Sequence, residues 1–411
     1  MKESVQPSFG GRSQILTALV ASLLIVIGVS TSGTASAAGT SYSCQRNWYV
    51  SQNGSDRASG NSSSAPWQTI QHASDSGQLR AGDCVNVANG TYSLQSTLYL
   101  NQGGNANSST GYVVYRSINQ HGAKIRPAYS GFQDVVVAVG NYIIVDGFEI
   151  DGGNEGLTSS PVSWGTGLGA NGHHFQALNN LVHDCGGGGI GASYSDWYWI
   201  VGNTVYNNAH FNGYQMSGIS VYEPRQAYFN ATSADNSATY HITIQNNVTH
   251  DNAVSYVGGS HTDGNGLILD DFQNTQSGYG GYPYKALVQS NTSYNNGGSG
   301  IFASRSNNVT IDSNTAYNNN LDTANPGTWR GDLANEFSSN NSWTNNRAAA
   351  TSLSYGPRAS STAIVDCGGD QNVTWSNNAN YDTRTGGRSY RIDVSSRASA
   401  FPSNNPLGGS L

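Results

Sequence analysis

Asn180-Leu-Val-His-Asp184, Asn203-Thr-Val-Tyr-Asn207, Asn247-Val-Thr-His-Asp251, Asn291-Thr-Ser-Tyr-Asn295 and Asn314-Thr-Ala-Tyr-Asn318 are five copies of one pattern, an Asn that opens a short strand. Weaker copies start at Asn346 and Asn378, so successive starts lie 23, 44, 44, 23, 32 and 32 residues apart. A solenoid tolerates such uneven spacing, because insertions lengthen loops and leave the stacked strands in place. One rung needs about 22 residues. A second strand follows each Asn motif, led by glycine and alternating with period two: Gly189-Ile-Gly-Ala-Ser193, Gly218-Ile-Ser-Val-Tyr222, Gly266-Leu-Ile-Leu-Asp270 and Gly300-Ile-Phe-Ala-Ser304. The second and fourth residues of each copy are apolar or small and point inward, so the third and fifth face out. Two short strands per rung cannot close a core alone. Stacked rungs can, each strand pairing in parallel with its equivalent about 4.8 Å away.

Equivalent inward Asn side chains in such a stack form an amide ladder that satisfies the backbone groups the bends leave unpaired. Asn enrichment therefore needs no catalytic explanation. Disorder is the competing reading of a chain rich in Gly, Asn and Ser, but 10% aromatic residues and regular Val, Ile and Leu argue against it. Only 10% of residues are charged and 51 are glycine, which disfavours a helical protein, since the long charged residues that clothe helix surfaces are missing. A net charge of −7 leaves no basic field for a nucleic-acid backbone or an anionic membrane.

The ends read differently. Lys2 and Arg12 precede an apolar run, Ile15 to Val29, and then Ala35-Ser36-Ala37, the form of an export signal over residues 1–38. The expected mature protein is secreted and carries no membrane span. Removal of Lys2, Glu3 and Arg12 leaves 16 basic and 24 acidic side chains, a charge of −8. Export permits disulfides. Cys44 and Cys84 flank one N-terminal unit and are the favoured pair, while Cys185 and Cys367 pair only if folding brings them together. A cap and first strands are expected over 41–100, rungs over 101–395 and a tail over 396–411. The cap holds Tyr49-Val-Ser-Gln-Asn-Gly-Ser-Asp56, then Pro66-Trp-Gln-Thr-Ile-Gln71 opening a short amphipathic helix to about Ser76, then Leu79-Arg-Ala-Gly-Asp83, Val85-Asn-Val87 and Gly90-Thr-Tyr92.

These opening motifs and the Asn-led rungs, which together span most of the mature chain, resemble the right-handed parallel β-helix carbohydrate enzymes, particularly polysaccharide lyases of the pectate lyase 9 and alginate lyase 6 type. The resemblance implies an all-β, right-handed parallel β-helix with an N-terminal cap. The scaffold hosts lyases, hydrolases, epimerases and adhesins, so function must be argued from a site.

Placing the glycine-led strands in register turns sequence spacing into geometry. The residue after each fifth position is Tyr194, Glu223, Asp271 and Arg305, and the fifth column adds Tyr222, Asp270 and Ser304. Just upstream, His261-Thr-Asp-Gly-Asn265 puts His261 and Asp263 at the bend entering the same strand. In a chain so poor in charge, these residues form the densest polar constellation. Asp263, Asp270, Asp271, Arg305 and His261 are the catalytic candidates. Tyr222, Glu223, Lys285 and Arg330 are the substrate-binding ones, and Asp263, Asp270 and Asp271 suit a hard cation such as Ca²⁺. The resemblance implies an Asp-held Ca²⁺ with a Lys base, or a Lys and Arg pair. The mature chain has only Lys124 and Lys285, neither in the strand columns, which leaves Arg305 as the better-placed base.

The expected function is that of a secreted, monomeric polysaccharide lyase, cleaving an acidic, uronate-containing polysaccharide by Ca²⁺-assisted β-elimination. The alternative is a glycoside hydrolase in which Asp263 pairs with Asp270 or Asp271. A third reading is a non-catalytic carbohydrate-binding surface protein. Trp197, Tyr198, Trp199, Tyr206, Tyr214, Tyr222, Tyr279, Tyr282 and Tyr284 crowd the same rungs, and two or three are expected to stack on sugar. Arg330, Asp332 and Glu336, a rung further on, are subsite candidates.

Overall fold

The computed structural model describes residues 41–392 except 107–110, 227–234, 236–237, 257–260, 326–329 and 351–360. The export signal and the C-terminal tail expected from sequence lie outside the described residues. Among the described residues the strands form three sheets of 11, 10 and 10 members, each pairing in parallel with its equivalent one turn of chain away. The first sheet runs from Arg46–Val50 to Thr374–Ser376, the second from Gly90–Leu94 to Ala379–Asp382, and the third from Leu98–Leu100 to Tyr390–Ile392. The Asn-led strands make the second sheet and the glycine-led strands the third.

Each rung therefore holds three strands where the repeat suggested two. The extra strand precedes the Asn motif, as in Phe175–Leu178, Tyr198–Val201 and Tyr240–Gln245. Its outward residues are also largely covered: Gln176, Leu178 and Val201 are buried beside the inward Phe175, Ala177 and Ile200. The polar and apolar alternation that reveals a half-exposed strand is consequently blurred.

The Asn column is the ladder expected. Asn180, Asn203, Asn247, Asn291, Asn314, Asn346 and Asn378 are all buried, and each of the first six donates its backbone N–H to the side-chain oxygen of the next at 2.9–3.0 Å. The side-chain NH₂ bonds the same oxygen and a carbonyl of the preceding rung, as Asn247 does to Asn291 and Ile200. A second ladder, Asn208, Asn252, Asn296 and Asn319, ends on Asp332. The residues between these ladders turn the chain. Asp184, Asn207, Asp251, Asn295 and Asn318, the last residues of the five motifs, all have φ near +54°. Asn and Asp tolerate that left-handed region better than other side chains with a Cβ, which explains why the motif closes on them.

At the N-terminal end, helix Ile70–Asp75 is capped by Thr69, whose side chain accepts from His72 N. Trp67 and Trp48 stack in parallel at 4.9 Å to cover the first rung. Cys44 and Cys84 form the expected disulfide, whereas Cys185 and Cys367 are buried and not joined in a disulfide. Strands Arg46–Val50 and Asp83–Val87 already join the first sheet, so the cap region itself contains rung.

Candidate active site

The glycine-led strands lie in the predicted register. Ile190, Ile219, Leu267, Ile301 and Leu333 form one inward column, each 0% exposed, which fixes Ser193, Tyr222, Asp270, Ser304 and Glu336 as an outward column on successive rungs. Each strand then ends in a left-handed residue: Tyr194, Glu223, Asp271, Arg305 and Phe337 have φ between 40° and 61°. That reversal aims their side chains away from the column before them.

The outward face of these rungs is the floor of a cleft of about 700 Å³. Gly191, Ser220, Ile268 and Phe302 alternate with Ser193, Tyr222, Asp270 and Ser304 along the floor, and Glu336 continues it. One wall comes from the loops entering the strands, with Met216, Thr262, Asp263, Asn265, Asn325 and Arg330. Tyr194, Gln276 and Arg305 supply the other. The bend at Asp263 is held by its neighbour: Asn265 donates to Ser217 Oγ at 3.1 Å and accepts from Ser299 N at 2.8 Å, tying three rungs together.

Of the predicted residues, Asp263, Asp270, Arg305, Tyr222 and Arg330 come together in this cleft. Burial pushes the Asp263 carboxyl well above the usual carboxylate range, and the charge of Asp270 adds to the effect. Asp270 is raised to about 6, chiefly by burial, then by Asp271, against the opposing pull of Arg305. Glu336 is also raised by burial and held down by Arg305. Arg305 itself is exposed at the rim, its guanidinium 5.3 Å from the Phe337 ring. Asp263 and Asp270, in unlike surroundings, thus share one cleft with Glu336, Arg305 and Arg330.

Asp271, Glu223, His261 and Lys285 stand outside it. Asp271 is fully buried and accepts from Thr275 N at 3.0 Å, Thr275 Oγ1 at 2.9 Å and Gln276 N at 2.9 Å. Glu223 accepts from Ser277 N at 2.8 Å and pairs with Arg225 at 3.4 Å. Both carboxylates therefore anchor the insertion after Asp271, which brings Gln276 to the cleft. The sequence columns placed these acids on neighbouring rungs but not the direction that a left-handed residue imposes. His261 is turned to Asp322, Nδ1 to Oδ2 at 2.7 Å. Lys285 begins strand Lys285–Gln289 of the first sheet, opposite Tyr240, and is exposed there. Asp332 ends the second Asn ladder inside the coil.

The three aspartates expected to hold Ca²⁺ do not fit such a site. Ca²⁺ takes about six to eight oxygens. The oxygens of Asp271 are occupied by N–H and O–H donors, and Arg305 lies beside Asp270. Among the described residues, three ligand atoms of His, Cys, Asp and Glu converge within 4.8 Å only at Asp151, His183 and Asp184 on the second sheet. There Lys124 already stands 3.3 Å from Asp151 and 2.6 Å from Glu149, as a compensating charge.

Aromatic placement is also selective. Tyr214 and Tyr222 line the cleft with Tyr194, while Trp197 stacks between His174 and His241, and Tyr206 between His183 and His250. The one clamp that sequence reasoning missed is Arg225, packed 4.5 Å from the Tyr194 ring and 3.8 Å from Tyr279. It lies two residues beyond the column that ends in Glu223, and only the fold shows what it meets.

No protein-family model matches this sequence, and no curated protein does. Solved structures do match in shape. The pectate lyase Pel9A is 14% identical over 90% of this chain and 82% of that one, with a TM-score of 0.48. The Dettilon tailspike protein is 13% identical over 81% and 63%, with a TM-score of 0.49. The GH136 lacto-N-biosidase from Eubacterium ramulus is 14% identical over 87% and 67%, with a TM-score of 0.45. The chain is a parallel β-helix, right-handed by the crossover rule for parallel strands. Identities and TM-scores this low carry nothing about chemistry, which must come from the cleft.

Proposed function

We propose that this β-helix is an exported enzyme that cleaves an acidic polysaccharide laid along the cleft, using Asp263 as general acid and Asp270 as its partner carboxylate. The observation that carries this reading is the pairing of two carboxyls in unlike surroundings. Burial favours the protonated form of Asp263, which can pass its proton to the leaving oxygen, while Asp270, raised to about 6, ionises as pH climbs through that value. Asp270 then activates water or attacks the sugar directly, and the separation of the two groups in the bound complex sets inversion or retention. Arg305, exposed at the rim, offers a planar fork for a sugar carboxylate. Tyr214 and Tyr222 offer ring faces and hydroxyls.

Hydrolysis fits this cleft better than β-elimination, the expectation drawn from family resemblance. Elimination needs a strong base for a carbon-bound proton, and among the described residues the cleft lining contains neither Lys nor His. Arg305 and the tyrosines of the lining are the remaining bases for an elimination. The Cys44–Cys84 disulfide supports action in an oxidising compartment.

Incubation with pectate, alginate and other uronans separates the readings. New reducing ends without absorbance near 235 nm are expected, lost in Asp263→Asn and Asp270→Asn and unaffected by chelator. Absorbance at 235 nm would establish elimination instead, chelator sensitivity would restore a Ca²⁺ role, and binding without either product would leave a non-catalytic surface protein.

A further inference from the structure

The buried asparagines of this coil use their amides to hold the fold. Along both ladders the NH₂ groups bond the next side chain, as Asn247 does to Asn291 and Asn252 to Asn296, each at 2.9 Å. On the cleft wall Asn265 donates to Ser217 Oγ at 3.1 Å and accepts from Ser299 N at 2.8 Å. Asn320 breaks the pattern. It lines the same cleft, it is 1% exposed, and its Nδ2 has no hydrogen-bond partner. Among the described residues no other buried asparagine has an enclosed NH₂ without a partner. A donor that meets neither protein nor water carries the full desolvation penalty of its N–H groups. The backbone does not call for this amide either: Asn320 has φ 64°, a left-handed conformation that glycine adopts at less cost.

Backbone bonds fix its place along the coil. Gly298 N donates to Gly264 O at 2.9 Å and Asn320 N donates to Gly298 O at 2.7 Å, so Gly264, Gly298 and Asn320 stack on three successive rungs. Rungs are about 4.8 Å apart, which sets Asn320 about 10 Å along the axis from the bend that carries Asp263. One rung is close to the length of a pyranose residue, so that distance corresponds to two sugars. Gly264 and Gly298 have no side chain, and Asn320 is the member of this column that can reach a ligand. Resting on the proposed function, which lays a polysaccharide in the cleft with Asp263 at the broken linkage, we infer that Asn320 is a further substrate-binding residue, donating its NH₂ to an acceptor oxygen of the sugar two residues from that linkage. The last torsion of an Asn side chain is soft, so Nδ2 can follow an oxygen pressed against the wall. Binding then removes a penalty that the free protein carries. A chain too short to reach this position, or without an oxygen there, leaves the donor orphaned and is discriminated against.

Full-length Asp263→Asn, which leaves polymer uncut, is compared with and without Asn320→Gly by affinity electrophoresis through gels of polygalacturonate, alginate, hyaluronan or galactan. Glycine suits the left-handed backbone and removes a donor that has no partner, so the melting temperature should hold or rise. Retardation by the best-bound polymer should weaken about tenfold. Asn320→Asp, close in shape but without the NH₂, should bind no better than Asn320→Gly. Calorimetric titration with oligomers of that polymer in graded lengths places the contact: the shortest should bind both proteins alike, and only those long enough to span Asp263 to Asn320 should tell them apart. Undiminished retardation in Asn320→Gly, full binding by Asn320→Asp, an equal loss for the shortest oligomers, a melting temperature that falls along with affinity, or no retardation by any polymer overturns the inference. Retardation that depends on Asn320, in a polymer the wild type does not cut, sinks the hydrolase reading alone. A polymer that the wild type cuts and Asn320→Gly binds undiminished sinks this one alone.

Discussion

Replacing Asn247 by Ala removes one step of the first amide ladder. Its side-chain oxygen accepts from Asn203 N and Asn203 Nδ2, both at 2.9 Å, and its NH₂ donates to Ile200 O at 2.8 Å and Asn291 Oδ1 at 2.9 Å. The truncation deletes these four bonds. Asn291 Oδ1 keeps the backbone N–H of residue 247, and Asn203 Nδ2 keeps Ala177 O, but the Asn203 backbone N–H loses its acceptor at a site that is 0% exposed. An orphaned buried donor costs about 1–3 kcal/mol and each lost bond about 1 kcal/mol, so about 4 kcal/mol is expected after the Asn291 and Asn203 side chains keep their second partners. With an unfolding entropy of about 2.1 cal/mol/K per residue over roughly 350 residues, this corresponds to a fall of about 5 °C in melting temperature. The control is Gln289→Ala. Gln289 also makes two amide bonds between rungs, to Gln245 at 2.7 Å and Asp312 at 2.9 Å, but it is half-buried on the outer face, where water replaces them. Its expected cost is below about 1 kcal/mol. Calorimetry of both variants decides the matter: if Asn247→Ala melts no lower than Gln289→Ala, the ladder does not hold the rungs together.

Cleavage should rise through about pH 6 as Asp270 ionises, giving kcat/KM an acid limb centred near that value, and a rate that stays flat across that region would rule out the role of Asp270. Because Arg305 pulls the Asp270 pKa down, Arg305→Gln should move that acid limb to higher pH, and an unmoved limb would mean the two groups do not communicate. In the C-terminal rungs, burial and the neighbouring Asp366 raise Asp370 to about 8, so the folded state binds a proton that the unfolded chain releases near pH 4. Thermal stability should therefore decline as pH climbs from about 4 to about 8, and a melting temperature that rises over that window would refute the shared-proton pair. Reducing the Cys44–Cys84 disulfide, which spans 40 residues, should destabilise the N-terminal rungs by about 4 kcal/mol on a chain-entropy account, read as a lower melting temperature in reductant that Cys44→Ser reproduces.

Much of the coil was legible because its signal repeats. A single Asn before a short strand is ambiguous, but seven of them at rung-compatible spacing imply stacking, and the glycine-led strands then set the column containing Tyr222, Asp270 and Ser304. The N-terminal disulfide followed from the position of two cysteines around one unit. The first sheet was harder to read, since its outer residues are covered and the period-two contrast fades.

Register along a strand is a property of local pattern, so the order of residues alone determined which acids occupy neighbouring rungs. The direction of each acid was decided elsewhere. Asp270 is still in strand geometry and faces the cleft, whereas Asp271, one residue later, is left-handed at φ 52° and turns its carboxylate into the loop at Thr275 and Gln276. The loops that wall the cleft, the clamp of Arg225 and the burial that pushes the Asp263 carboxyl up depend on contacts between segments far apart in the chain. Those contacts form only once the rungs have stacked, because burial and electric field come from packing in three dimensions rather than from the order of residues.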